Sequence, residues 1–356
     1  MLDPLLRTRL IQWGDVTGVL YVDSSTFSPS IWFRHHSSRE TSIVDLPSDS
    51  RDGWVYAAAA MTSATDLWIA GGNGPITLRH YALAGSPLPA SASLVETRTF
   101  GDSDSRPGDL IALADGSIVV AWHQQGATGP QGQHIAFRSA SGTWSQLPAL
   151  TFMPTSYSDQ VLAQHPSDGS IWLFSNPDMW GSIGAAHLSL SAGGLAVDWS
   201  DSSFISEQAF GLNGPDPENP DLAVASDPVS GALALAYQSR DRKYVGTSSS
   251  TRIVSRVAIA RIPATGGMSF STAPVWAERV ADIGLVVAGT TTAVTYREVD
   301  HVTGGLAGIH LVRHDGLAWG SPMPVANGSV TSVAYASGRI EVAGLADDWQ
   351  IHVVAP

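Results

Sequence analysis

The stretch Asp109–Gln124, DLIALADGSIVVAWHQ, decides the fold. Two apolar-rich runs flank an Asp-Gly pair, the strongest short-range signal for a β-hairpin. It predicts a type I′ turn, which needs positive φ at both central positions. The unit recurs in LIQWGDVTGVLYVDS from Leu10, VYAAAAMTSATDLWIAGG from Val55 and VLAQHPSDGSIWLFSN from Val161. It returns in LAVASDPVSGALALAYQ from Leu222, LVVAGTTTAVTYRE from Leu285 and VAYASGRIEVAGL from Val333. Two further short strand candidates follow the hairpin in six of these seven repeats, as in AAHLSLSAGGLAVDWS and GIHLVRHDGLAWGSPMPV. Four strands and their turns per repeat describe one blade of a β-propeller, and the spacing of roughly 45 to 62 residues lies near that of known blade repeats.

The expectation is an all-β chain: one seven-bladed propeller of four-stranded antiparallel blades spanning residues 1–356, with six blades as the alternative count. The last repeat is short, and the segment around Leu5 to Thr8 is expected to supply its missing strand and close the ring. Closure would leave no unpaired sheet edges.

Composition narrows the function. The 356 residues are 44% hydrophobic, enough for a large core, and 35 glycines with 21 prolines suit many tight turns. A net charge of −13 disfavours nucleic acid as a partner, since a phosphate-binding surface needs a basic field. Lys243 is the sole lysine and there is no cysteine, which excludes disulfides and thiolate chemistry. The beginning, MLDPLLRTRLIQW, lacks the basic start and apolar core of a signal peptide, and no apolar run reaches the ~20 residues of a membrane helix. A soluble protein is expected, cytoplasmic or associated with a particle. No cofactor is expected. Protein-ligated metal is not expected either, because no HExxH, EF-hand loop or His pair at metal spacing is present. A Ca²⁺ on Asp102 and Asp104 is an idea that spacing alone does not support.

Gly142-Thr143-Trp144-Ser145 followed by Leu147-Pro148, and Asp315-Gly316 with Trp319-Gly320-Ser321-Pro322, resemble the Asp-box or BNR element of sialidase-like propellers. Asn219-Pro220-Asp221 before Leu222 likewise looks like the approach to an inner strand in that superfamily. No repeat carries the full Ser-x-Asp-x-Gly-x-Thr-Trp box. The resemblance implies the propeller fold, which sialidases, propeller polysaccharide lyases and non-catalytic lectins share. A sialidase-like enzyme would need an arginine cluster, a tyrosine nucleophile with a glutamate, and an acidic proton donor. Arg261-Ile262-Pro263 echoes the arginine motif, but its place in the fifth repeat reads as a strand end before a proline turn.

Chemistry is expected on the face where second-to-third-strand loops and blade-to-blade connections emerge. The segments placed there include Phe100–Asp109, His123–His134, Met153–Asp159, Asn176–Ile183, Ser202–Pro220, Ser239–Arg252 and Arg297–Gly304. They carry the candidate ligand-binding residues Arg240, Arg242, Tyr244, Arg297, Trp180, Tyr157 and His123, together with Arg106, His134, Glu298 and Asp216. Arginines fork onto carboxylates and aromatic faces stack on sugar rings. A solvated loop face collects the same residue types. Asp52, Asp109, Asp159 and Asp221 recur before inner strands and read as turn caps. Trp144, Trp199 and Trp319 read as packing between blades, with a sugar platform as the minority reading.

The functional expectation is a non-catalytic recognition propeller that binds a glycan or a protein partner through this face. It would suit a component of a larger assembly such as a phage or tail-like particle. The alternative is an enzyme on acidic polysaccharide with its site at the central mouth. As a lyase it would use His123 or Tyr244 as base and Arg240 or Arg242 against the uronate; as a glycosidase it would use Glu298 and Asp216.

Overall fold

The computed structural model describes residues 10–22, 29–47, 57–72, 74–124, 131–151, 158–177, 182–191, 194–206, 221–227, 229–244, 251–275, 280–299, 306–326, 331–336, 339–344 and 350–354. Within them every regular element is a strand. The first sheet comprises β1 (Leu10–Trp13), β2 (Val16–Val22), β3 (Pro29–His35) and β4 (Thr41–Asp45). The second holds β5 (Ala57–Ser63), β6 (Asp66–Gly71), β7 (Ile76–Ala84) and β8 (Ser91–Phe100). β9 (Ser105–Ala112), β10 (Ile118–Gln124), β11 (Gly132–Arg138) and β12 (Trp144–Gln146) form the third. β13 (Ser158–Gln164), β14 (Ile171–Pro177), β15 (Ser182–Ser191) and β16 (Gly194–Ser206) form the fourth. The fifth has β17 (Leu222–Asp227), β18 (Ala232–Tyr244), β19 (Thr251–Pro263) and β20 (Ser269–Ala273). The sixth has β21 (Val280–Ala288), β22 (Thr291–Val299), β23 (Leu306–His314) and β24 (Met323–Ala326). β25 (Thr331–Ala336), β26 (Arg339–Gly344) and β27 (Gln350–Val354) complete the series.

Six sheets are four-stranded antiparallel meanders with their strands in chain order, the pattern of a propeller blade. The seventh repeat yields a three-stranded sheet, β25-β26-β27. Among the described residues the count of four-stranded blades is therefore six, the alternative number, and not seven. The strand expected from Leu5 to Thr8 lies outside the described residues.

The chain falls into two compact units. One is Met1–Thr155 with Leu190–Val197 and Ala336–Arg339; the other is Ser156–Ser189 with Asp198–Tyr335 and Ile340–Pro356. In the first unit β5 lies alongside β1 and β9, and in the second β17 lies alongside β13 and β21. Alternation along the strands gives the blades apolar faces, and within each unit facing blades pack on one another. Ile31, Phe33 and Val44 meet Ile69, Tyr81 and Leu83 across one seam. Trp68, Ile76 and Leu78 meet Ile118, Val120 and Trp122 across the next. In the second unit Phe174, Ile183 and Ala185 pack on Leu233, Leu235 and Tyr237. Ala234, Ala236 and Ile259 then pack on Val294, Tyr296 and Val312.

The Asp-Gly turn departs from the expected type. Only Gly116 has positive φ (84°), and Asp115 does not. The Gly116 amide donates to the Leu113 carbonyl (2.9 Å) and the Leu113 amide to the Ser117 carbonyl (2.9 Å). This is a longer loop in which a turn is followed by one left-handed glycine, a geometry that matches strand twist as well as type I′ does. The aspartate earns its place as a cap: its carboxylate accepts the Ser117 amide and hydroxyl, both at 2.9 Å. Asp168-Gly169-Ser170 repeats the arrangement, with the Ser170 amide at 3.0 Å and its hydroxyl at 2.7 Å from the Asp168 carboxylate.

Several segments expected as loops are strands. Ser239–Tyr244 and Thr251–Arg252 form a ribbon, because β18 continues to Tyr244 and β19 starts at Thr251, pairing Arg240 with Ser255 and Tyr244 with Thr251. Ser202–Ser206 belongs to β16, Ser105–Asp109 to β9, and His123 and His134 to β10 and β11. The physical reason is common to all: an antiparallel pair gains ladder hydrogen bonds as long as both strands continue, whatever the polarity of the side chains.

Candidate functional site

The free ends of β9, β10 and β11 bring the most chemistry together. Along β10, Ile118, Val120 and Trp122 face the seam with the second sheet. Val119, Ala121 and His123 take the opposite face. There the register sets Arg106 and Gln133 on either side of His123, and Asp109 opposite Ala121 one step inward. A register shift between Ala121 and Trp122 makes this possible. Gly108 is the extra residue of a bulge, so Arg106 and Asp109, three apart in sequence, share one face. His123 is 2% exposed, Gln133 and Asp109 are fully buried, and Arg106 is half-buried. The Asp109 carboxylate accepts the Leu110 amide, and the residue expected to cap a turn before the strand lies inside β9.

The other face braces this row. The His134 ring stacks on Trp122 at 5.3 Å and 15°, and Phe100 stacks on Trp122 from the neighbouring blade at 5.2 Å. Asp102 ties the connection from β8 into place, since it accepts the Gln124 side-chain amide at 2.7 Å and the Asp104 amide at 3.0 Å. The Asp102 carboxylate thus holds the loop, which explains the residue without a Ca²⁺. Gly101 has φ 69° and an added Cβ would run into the Ser105 side chain, so glycine is favoured there.

In the second unit, Arg297 on β22 is buried, and its guanidinium lies 3.0 Å from Asp282. Asp282 sits in a register shift of β21 with φ 50°, a left-handed conformation uncommon for a residue with a side chain. Its amide donates to the Asp221 carboxylate at 2.7 Å. The expected local cap at Asp221 is therefore a bond from one blade to the next. Glu298 follows on β22 opposite Val280.

The remaining candidates divide. Arg240, Arg242 and Tyr244 occupy alternate positions of β18, with register partners Ser255, Ile253 and Thr251. Tyr157, Trp180, Asp216 and Asp52 lie outside the described residues. Arg261 donates to Asp227 (2.8 Å) and to the Thr292 hydroxyl (2.8 Å), which joins three strands of two blades and supports the structural reading of Arg261-Ile262-Pro263. Sequence reasoning passed over Gln133 and Asp282. The phase of HIAFR, beginning beside Gln133, could have flagged the first; nothing local marks the second. Among the described residues no group of three or more His, Asp and Glu side chains could hold a metal ion. Among the described residues no helix is long and apolar enough to cross a membrane.

No family model matches the chain, and no curated protein does. Solved structures do match in fold. The polysaccharide lyase Uly1 aligns over 99% of this chain and 90% of its own at 11% identity, with a TM-score of 0.56. Hydrazine synthase of Kuenenia stuttgartiensis covers 100% and 96% at 12% identity and a TM-score of 0.60. The α-L-arabinofuranosidase Arb93A of Fusarium graminearum covers 99% and 94% at 10% identity and a TM-score of 0.51. The chain shares a propeller fold with these proteins, two of which act on glycans by name.

Proposed function

We propose that the protein acts on an acidic polysaccharide by β-elimination, at the free ends of β9–β11. The observation that carries this reading is the register that sets His123 between Arg106 and Gln133 on one blade face. Elimination next to a uronate carboxylate needs a cation or amide that neutralises the carboxylate, so that the adjacent carbon can lose its proton to a base. Arg106 supplies the fork for the carboxylate, Gln133 an amide donor and His123 the basic ring nitrogen. His123 takes the proton, the C–H electron pair becomes the new carbon–carbon double bond, the glycosidic oxygen leaves with the C–O electron pair, and the proton handed back from His123 completes its hydroxyl. Likeness in fold to a polysaccharide lyase supports the class of substrate without specifying it.

The glycosidase form of the idea has less behind it, because Asp216, one of its two acids, lies outside the described residues. The test is incubation with a panel of uronate-containing polysaccharides, reading the ultraviolet absorbance of unsaturated chain ends. At least one substrate should give product, and H123A should form it far more slowly. Binding on a glycan array with no product from any polymer would replace elimination with the recognition-module reading.

A further inference from the structure

Trp144 begins β12, Trp199 lies within β16 and Trp319 bridges to His314 ahead of β24, and one of the three behaves differently. Trp144 is occupied: its indole N–H donates to Glu96 at 3.3 Å, and the Arg98 guanidinium lies 5.2 Å from its ring. Trp319 packs against the seam between the fifth and sixth sheets, with His314 edge-on at 5.1 Å. Trp199 is 39% exposed, although a ring of its size could have been buried in the same way.

Its exposure is not looseness. His187 lies parallel to it within 5° at 5.7 Å, Trp172 meets it edge-on at 5.2 Å, and Phe204 flanks it at 5.8 Å. The indole is a fixed platform with apolar surface open to solvent. Beside it the Asp198 carboxylate is oriented by His187 (2.8 Å) and by the Ser189 hydroxyl (2.8 Å). Each oxygen retains a lone pair for a further donor.

We propose that Trp199 and Asp198 form a carbohydrate-binding platform for an uncharged sugar, separate from the row around His123. The C–H face of a pyranose or furanose ring covers the indole, and Asp198 accepts a bond from a ring hydroxyl. A rigid aromatic with two torsions costs little entropy to use, and here its neighbours have already fixed it. Charge selects the class of ligand. Asp198 and the exposed Asp201 give this surface carboxylates, which disfavour a uronate or sulfated sugar relative to a neutral one.

The test is electrophoresis of the native protein through gels containing neutral polysaccharides (a β-glucan, a xylan, an arabinan, a mannan), with a uronate polymer gel run alongside. At least one neutral polymer should retard the wild type. W199A should weaken that retardation by about tenfold in apparent affinity, D198N should weaken it less, and W13A, which removes another exposed tryptophan, should leave it unchanged. W199F with an unaltered melting temperature covers the case in which W199A disturbs folding, and it should retain part of the binding. Wild type that migrates freely in every neutral gel, or W199A and W199F that are retarded as strongly as wild type, would overturn the proposal. The readout is mobility and not product, so it stands whether or not uronate polymers are cleaved.

Discussion

The ends of β10 and β22 are built alike and finished differently. Each second strand places an aromatic before a basic residue, Trp122-His123 and Tyr296-Arg297. In each, the third strand sets a histidine ring on the aromatic: His134 on Trp122 at 5.3 Å and His310 on Tyr296 at 5.3 Å. Trp68 with His80 (4.3 Å) and Trp172 with His187 (5.1 Å) repeat the pairing nearer the other ends of their strands. A pair that returns in four blades is a device for packing a seam while keeping a polar ring at its rim. The residue after it does not return. Arg297 is locked to an aspartate in a left-handed bend, whereas His123 stands between an arginine and a glutamine. The first arrangement joins blades, and the second has the composition of a site.

Four experiments can break or sharpen that contrast. The largest effect belongs to H123A, which should lower the rate on a cleavable uronate polymer by about 10²–10⁴-fold while its melting curve stays close to that of wild type. If H123A and wild type turn over equally, the two blade ends no longer differ in function. Replacing the shared aromatics should cost alike: Trp122→Ala and Tyr296→Ala each remove a fully buried ring, worth about 3–5 kcal/mol in denaturant unfolding. A large disparity would mean that the two pairs do not play one role. Arg297→Met should destabilise by about 3 kcal/mol, because it strands Asp282 beside a buried position. An unfolding midpoint equal to wild type would remove Arg297 from the framework.

The smallest effect is electrostatic. Burial pushes the Asp227 carboxyl up, but the Ser230 hydroxyl and amide, the Val229 amide and Arg261 more than offset it, so it titrates below its ordinary 3.8. A depressed folded value contributes stability that is present above 3.8 and is lost as pH falls through the folded value. Melting temperatures of wild type and D227N should therefore differ at about pH 6 and converge towards about pH 3. A constant gap across that range would show that the Arg261–Asp227 pair is held by shape and not by charge.

Much of the frame was legible because it rests on local rules. The apolar runs around Asp115-Gly116 and Asp168-Gly169 state where strands turn, and the serine after each glycine completes the cap. Strand length was harder to read. Polar residues such as Ser239-Arg240-Asp241-Arg242 have the composition of a loop, and only the partner segment 251–256 makes them a ribbon. The histidines show the same limit. His134 and His310 have no local signal for burial, and the aromatic that covers each lies on the strand next door.

What the sequence determined alone is the succession of antiparallel hairpins, because period-two alternation and turn chemistry act within about twenty residues. The tertiary structure decided how many repeats become four-stranded blades, where Gly108 and Asp282 shift the register, and which side chains share a face. Those outcomes depend on cross-strand register, and register is set by the whole of two packed faces and not by any one segment. The row of Arg106, His123 and Gln133 is the clearest case. Its members are ordinary residues in three separate stretches, and the pairing of three strands makes them neighbours.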